Sequence, residues 1–188
     1  MQFKRIFDII LSLILILILF PFIVIIAILI RLETVGSPIF LSKRYGKNNR
    51  FFMMPKFRTM KKNTPQLATH LLTNSNTHIT KLGKFLRKSS LDEVPQLISI
   101  LKGDMSFVGP RPALFNQDDL IKLREQFDIH ILTPGLTGLA QINGRDDISI
   151  EKKVQIEKYY KENQSIILDL NILYLTAMKV IKMKNVTH

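Results

Sequence analysis

A mostly helical α+β fold with a small β-hairpin, carried on an N-terminal membrane segment, is what three features of the 188-residue sequence predict. Residues Ile9–Ile30 are apolar and uncharged, two β-rich runs flank a Gly-Lys-Asn-Asn turn, and beyond Lys81 the apolar residues recur mainly at helical spacing. The division expected is a membrane-embedded segment over residues 1–31 and one compact domain over residues 32–188.

The apolar run IILSLILILILFPFIVIIAILI holds 22 residues bracketed by Asp8 and Arg31. As a straight helix it would be ~33 Å long, enough to cross a ~30 Å hydrocarbon layer. It is too long for a signal-peptide core, and no small-residue cleavage site follows, so the segment is expected to be retained. Pro21 breaks one backbone hydrogen bond at a cost of ~3 kcal/mol, which the surrounding Leu, Ile, Val and Phe outweigh. Lys4 and Arg5 precede the run, and Arg31, Lys43, Arg44, Lys47 and Arg50 follow it. Positive charge on both flanks favours keeping both ends on one side, as a re-entrant hairpin bent at Pro21 would do. Its arms of about 18 and 14 Å would reach half-way into a bilayer. A kinked spanning helix with a short translocated N-terminus is the alternative that the residues leave open.

After a turn at Gly36-Ser37-Pro38, Ile39–Leu41 and Phe51–Met54 read as short strands joined through Tyr45–Asn49. Residues 63–80, rich in Thr and Asn, read as a surface loop. Lys81–Lys88 sets Leu82, Phe85 and Leu86 at i, i+3, i+4 among basic residues, as in a helix lying on a membrane or packed on a core. A second helix is expected from near Asp92-Glu93 to a stop at Gly103, with Pro95 tolerated in its first turn. Ser149 reads as the N-cap of a charged helix ending near Asn163. Ile166–Lys182 reads as a long apolar helix whose Asp169, Asn171 and Lys179 argue against a second span.

Twenty-seven Lys and Arg against fifteen Asp and Glu give a net charge of +12, which points to an anionic partner. The absence of Cys excludes disulfides, thiolate zinc sites and thiol catalysis, and the four His form no HxxxH pair. No P-loop, GxGxxG or GxSxG occurs, which argues against a Walker ATPase, a Rossmann dehydrogenase and an α/β-hydrolase. Between Glu33 and Asp92 there are 12 Lys or Arg and no acid at all. An anionic lipid surface would attract some of them, and guanidinium forks suit a diphosphate.

Asp92 and Glu93 end that basic stretch. At a helix start both carboxylates would be held ionised, as a nucleophile or a magnesium ligand requires. Ser90 with Glu93 also matches a capping box, and Asp92 is itself a good cap, so a purely structural reading competes. Gly109-Pro110-Arg111-Pro112 fixes the backbone around Arg111, and Pro134–Gly138 with Asn143-Gly144 punctuates the approach to Arg145. Two arginines displayed from rigid loops suggest anion recognition.

Together these residues resemble the bacterial sugar transferases, the small monotopic phosphoglycosyltransferases. The matching motifs are Lys4–Asp8, Lys56–Met60, Leu86-Arg87 with Ser90–Glu93, the long string Leu101–Pro112, Pro134–Gly138 with Ala140-Gln141, and Asn143–Arg145. They span nearly the whole chain, and with one apolar run the small form of the family is expected. The resemblance implies a re-entrant N-terminal helix, interfacial helices and a cytoplasmic catalytic domain on the bacterial inner membrane. It implies transfer of a sugar 1-phosphate from a UDP-sugar to polyprenol (undecaprenyl) phosphate, with Mg2+ as cofactor and UMP as product, as the first membrane step of glycan assembly. Asp92 would be the nucleophile, forming a covalent phosphosugar intermediate, and a metal ligand. Glu93 would assist metal binding or proton removal, and Lys56, Arg58, Arg87, Arg111 and Arg145 would bind the substrate's anionic groups. Membrane lipid is an expected partner, nucleic acid is not, and homo-oligomerisation is left open.

Three positions depart from the family pattern: Phe20 where Ser often precedes the proline, Leu139 in place of Trp, and Glu157 in place of the Asp before Tyr159-Tyr160. A membrane-tethered basic module binding anionic lipid or nucleic acid, without chemistry, is the competing class. Nucleic-acid binders interleave aromatics with their basic patch, whereas Phe51, Phe52, Phe57 and Phe85 here sit among long apolar residues.

Overall fold

In a computed structural model, residues 2–62, 64, 78–144 and 148–182 are described. Most of the expected surface loop 63–80 therefore lies outside the described residues. The first helix, α1 (Gln2–Glu33), runs through Pro21. Most of its apolar side chains are exposed, including Leu17, Ile18, Phe20 and Phe22, while Asp8, Ser12 and Ile30 are buried. This helix is long and apolar enough to cross a membrane.

Both ends of α1 are tied to the domain that follows. Near the N-terminus, Lys4 Nζ pairs with Asp169 at 2.5 Å, and Asp8 Oδ1 accepts from Phe107 N at 3.1 Å. Arg5 donates to the carbonyls of Ile100 and Leu101 at 2.5 and 2.7 Å. Those carbonyls lie in the last turn of a helix, at the negative end of its dipole, where a cation is favourable. At the other end, Ile30 packs with Phe57 and Leu86, and Glu33 accepts from Leu82 N at 3.1 Å.

The hairpin is longer than the sequence runs suggested. β1 (Ile39–Tyr45) pairs antiparallel with β2 (Phe51–Phe57), Ile39 facing Phe57 and Tyr45 facing Phe51. A 3-10 turn joins them, in which Asn48 and Asn49 take positive φ, a conformation Asn tolerates. Lys81–Lys88 forms α2, capped by Thr80, whose hydroxyl accepts from Gly83 N at 2.9 Å. Its Leu86 is fully buried whereas Phe85 is 59% exposed, so only part of the apolar stripe enters the core.

A 3-10 helix over Leu91–Gln96 continues directly into α3 (Leu97–Lys102), which stops at Gly103 in the left-handed conformation. β3 (Ser106–Val108) runs parallel to β4 (Gly135–Thr137). Between them lies α4 (Asp118–Gln126), and after them come α5 (Leu139–Ile142), α6 (Ile150–Glu162) and α7 (Ile166–Lys182). Ser149 caps α6 as expected, accepting from Lys152 N at 3.3 Å. Helix α7 divides by face: Ile172 is fully buried and Asp169 nearly so, while Ile167 and Tyr174 are exposed. The main core gathers Leu97, Ile100, Met105, Phe107, Ile129 and Val154 around α3, β3 and α6.

Candidate active site

The hairpin, the 3-10 turn and the Gly109–Pro112 loop bring four predicted residues together. Lys56, next to last in β2, donates to Glu93 Oε1 at 2.8 Å. Arg111 reaches the same oxygen at 3.4 Å. Glu93 is therefore held by two cations, which rules out the capping box: Ser90 makes no side-chain cap, and the Glu93 carboxylate points across the site instead of back along its own turn. Ser90 itself adopts φ 57°, ψ 14°, an uncommon conformation for a residue with a Cβ, and strain of this kind concentrates at functional turns.

Asp92 lies one residue before Glu93. Among the described residues no hydrogen bond or ion pair ends on its carboxylate, though the charges of Lys56, Arg87 and Arg111 all act on it. Burial pushes its pKa up, and Lys56 opposes this; Glu93 adds to the rise, and Arg87 and Arg111 pull against it. Desolvation and the like charge prevail, so the ionised form of Asp92 is a relatively basic carboxylate close to cations. Burial also lowers the Lys56 ammonium, against the pull of Glu93. Arg87, at the end of α2, is lowered by burial too, with Asp92 counteracting, and its Nε donates to Thr59 Oγ1 at 2.9 Å.

Clustered cations of this kind can meet an anionic group. The charges of two guanidinium groups and an ammonium act on a carboxylate that has no hydrogen bond among the described residues, an arrangement suited to phosphorus or a metal ion. Among the described residues no group of three His, Cys, Asp or Glu gathers to hold a metal by itself. That donor set still fits magnesium, which is usually held by one or two carboxylates with substrate phosphates and water. Asp92 is the residue that would hold it, since Glu93 is engaged with Lys56 and Arg111.

Arg111 is presented by interlocked backbone. Gly109 N donates to Thr137 O and Gly135 N to Pro110 O, both at 2.9 Å. The strands approach so closely that a Cβ on Gly135 would lie 2.1 Å from Gly109 N, and one on Gly138 would lie 2.1 Å from Gly109 O. The glycines that looked like loop markers are contact points between two segments.

One predicted residue lies elsewhere, and another is outside the described residues. Arg58 donates to the Thr34 carbonyl and hydroxyl at 2.8 and 2.7 Å, fastening β2 to the chain leaving α1. Arg145 falls outside the described residues. Sequence reading missed Arg124, whose guanidinium is bidentate to Glu157 and also reaches the Arg111 carbonyl. Nothing local flags it, because Glu157 is 33 residues away and the pattern of α4 shows an arginine only where a surface helix would carry one.

The profile of the family described as bacterial sugar transferase matches residues 1–183. The uncharacterized sugar transferase EpsL of Bacillus subtilis (strain 168) is 41% identical over 182 residues, covering 96% of this chain and 88% of that protein. Two larger relatives carry functional names. The undecaprenyl-phosphate galactose phosphotransferase of Salmonella typhimurium is 34% identical over 196 residues, covering 95% of this chain and 40% of its own length. The UDP-glucose:undecaprenyl-phosphate glucose-1-phosphate transferase of Escherichia coli (strain K12) is 37% identical over 183 residues, covering 94% of this chain and 39% of its own. This chain thus spans about two fifths of those two proteins and most of EpsL. With a match over nearly its full length and a carboxylate turn ringed by cations, the chain belongs to the bacterial sugar transferase family.

Proposed function

We propose that this protein transfers a sugar 1-phosphate from a UDP-sugar to polyprenol phosphate and releases UMP. The observation that carries the reading is the Asp92 carboxylate, with no hydrogen bond among the described residues, in the turn where the charges of Lys56, Arg87 and Arg111 converge. The names of the relatives supply the substrate class.

In the first step an Asp92 oxygen attacks the phosphorus that bears the sugar. A bond forms between that oxygen and phosphorus, the bond from phosphorus to the bridging oxygen breaks, and UMP leaves with the electron pair. In the second step a phosphate oxygen of the polyprenol phosphate attacks the same phosphorus and displaces the carboxylate. The product is a polyprenol diphosphate sugar, and Asp92 is regenerated. Arg87 and Arg111 would bind the non-bridging oxygens, and Lys56 would hold Glu93 beside them. Magnesium, when bound, would supply neutralisation of charge on the diphosphate. A panel of UDP-sugars offered with undecaprenyl phosphate tests the reading: UMP release with one of them supports it, and none with any donor overturns it.

Arg111→Lys keeps the charge but loses the planar fork, and we expect about a 10-fold or greater fall in kcat/KM. Unchanged kinetics would assign Arg111 to structure.

We further propose that α1 enters and leaves the membrane on the cytoplasmic face. Lys4, Arg5 and Asp8 at one end, and Ile30 and Glu33 at the other, are all bound to one domain, and that shared attachment is what supports the reading. A spanning helix would separate those ends by the thickness of the hydrocarbon and break one set of contacts. In this Cys-free chain, Gln2→Cys is expected to resist an impermeant thiol reagent applied to intact cells; ready labelling from outside would leave only the spanning form. Pro21→Leu, which restores the backbone N–H that proline lacks, should increase labelling by favouring a straight, spanning helix.

A further inference from the structure

We propose that Arg124, itself held by Glu157, is a positioning residue for Arg111, and the inference rests on the substrate-binding reading of Arg111. Arg124 on α4 and Glu157 on α6 are 6% and 2% exposed. Arg124 Nε donates to Glu157 Oε2 at 2.8 Å and Nη2 to Oε1 at 2.6 Å, a two-bonded fork. The same Nη2 donates to the Arg111 carbonyl oxygen at 3.0 Å.

That carbonyl is the one handle available on its peptide. The Arg111–Pro112 peptide has no N–H, because the next residue is proline, so its plane can be anchored through the oxygen alone. The neighbouring carbonyls are held by other elements: Pro110 O by Gly135 N at 2.9 Å, Pro112 O by Arg44 Nη1 at 3.1 Å, and Ala113 O by Tyr45 N at 3.0 Å. Four successive carbonyls thus each meet a donor from outside the loop. The Arg124 contact falls on the residue whose side chain reaches Glu93.

A buried ion pair is a poor stability device, since desolvation of both charges offsets much of their attraction and apolar residues of equal volume do as well. Geometry is what the pair provides. Two parallel bonds to Glu157 fix the plane of the Arg124 guanidinium and with it the direction of the second Nη2 hydrogen, which meets Arg111 O. Rotation of the Arg111 peptide would swing its guanidinium away from Glu93 and from any phosphate beside Asp92.

The test uses the full-length protein in detergent and UDP as the probe, since UDP carries the diphosphate and needs no knowledge of the sugar. Dissociation constants would be measured for wild type, Arg124→Lys, Arg111→Ala and the double variant, with melting temperatures alongside. Arg111→Ala is expected to weaken UDP about 10-fold or more. Arg124→Lys, which cannot hold Glu157 through a fork while reaching the carbonyl, is expected to weaken it about 5- to 10-fold. The double variant should bind no more weakly than Arg111→Ala alone, because a misplaced residue that is already absent costs nothing further. Multiplicative losses in the double variant, or undiminished binding by Arg124→Lys, would overturn the proposal while leaving the reading of Arg111 intact. Undiminished binding by Arg111→Ala would overturn both. Should Arg124→Lys fail to accumulate as folded protein, Glu157→Asp, which shortens the pair and keeps both charges, takes its place in the same cycle with the same expected outcomes.

Discussion

Asp92→Asn should give a folded, membrane-bound protein that has lost turnover by about 1,000-fold or more. The substitution keeps the size of the side chain and removes the charge, so on the proposed mechanism what disappears is the anionic nucleophile. Wild type offered donor without undecaprenyl phosphate should release UMP in a burst stoichiometric with enzyme, because the first transfer needs no acceptor. A quenched sample should carry a sugar-phosphate adduct on the peptide containing Asp92. A carboxylate that only held metal would give no burst, and an adduct on another residue would reassign the nucleophile. Glu93→Gln should slow the reaction without abolishing the adduct, since it frees Lys56 and Arg111 from their shared partner.

The same variant has a stability signature. Burial, aided by Glu93, raises the Asp92 pKa in the folded protein despite the opposing cations. A raised carboxylate contributes stability that is fully present below its unfolded value of about 3.9 and is lost as pH rises through the folded value. At pH 7 wild type bears that loss and Asp92→Asn does not, so the variant should melt at or above wild type, with the gap closing as pH falls. Activity runs the other way. Attack needs the ionised form, so the acid limb of kcat/KM should lie above the ordinary carboxylate range.

Gly135→Ala should dismantle the site from the backbone. Its Cβ would lie 2.1 Å from Gly109 N and 2.4 Å from Thr137 O, contacts no side-chain rotation relieves. The parallel pair β3–β4 would have to part, breaking the bonds from Gly109 N to Thr137 O and from Gly135 N to Pro110 O. A cost of about 3 kcal/mol or more is expected, read as a large fall in melting temperature or as failure to accumulate. A variant that melts like wild type and binds UDP normally would show that the two segments are not locked together as described. Gly36→Ala makes a useful contrast: its φ of +120° is strained for alanine, yet the nearest atom is the end of the Arg58 side chain, not backbone.

The sequence alone carried the helices bounded by local chemistry. Ser149 caps, Gly103 stops, and apolar spacing marks Lys81–Lys88 and Ile166–Lys182 at the bounds the structure has. These signals are local because a helix satisfies its own backbone within four residues. The motif string also picked out Lys56, Arg87, Asp92, Glu93 and Arg111 before any geometry was known. Which of two roles Glu93 plays was not decidable in the same way. Ser90-x-x-Glu93 is a sound capping box by spacing, and it is overridden by Lys56 and Arg111, 37 and 18 residues away. Arg58 shares a motif with Lys56 but follows the strand's end, where its guanidinium meets Thr34. The purpose of Gly109 and Gly135 is likewise non-local, since each glycine is required by the backbone of the other segment. Periodicity, caps and charge runs are written in neighbouring residues, and so the sequence determined the elements and the chemical cast. Burial, desolvation and ion pairing depend on residues far apart in the chain, and only the tertiary structure decided that Glu93 is clamped by Lys56 and Arg111, that no hydrogen bond among the described residues ends on Asp92, and that Arg124 donates to the Arg111 carbonyl.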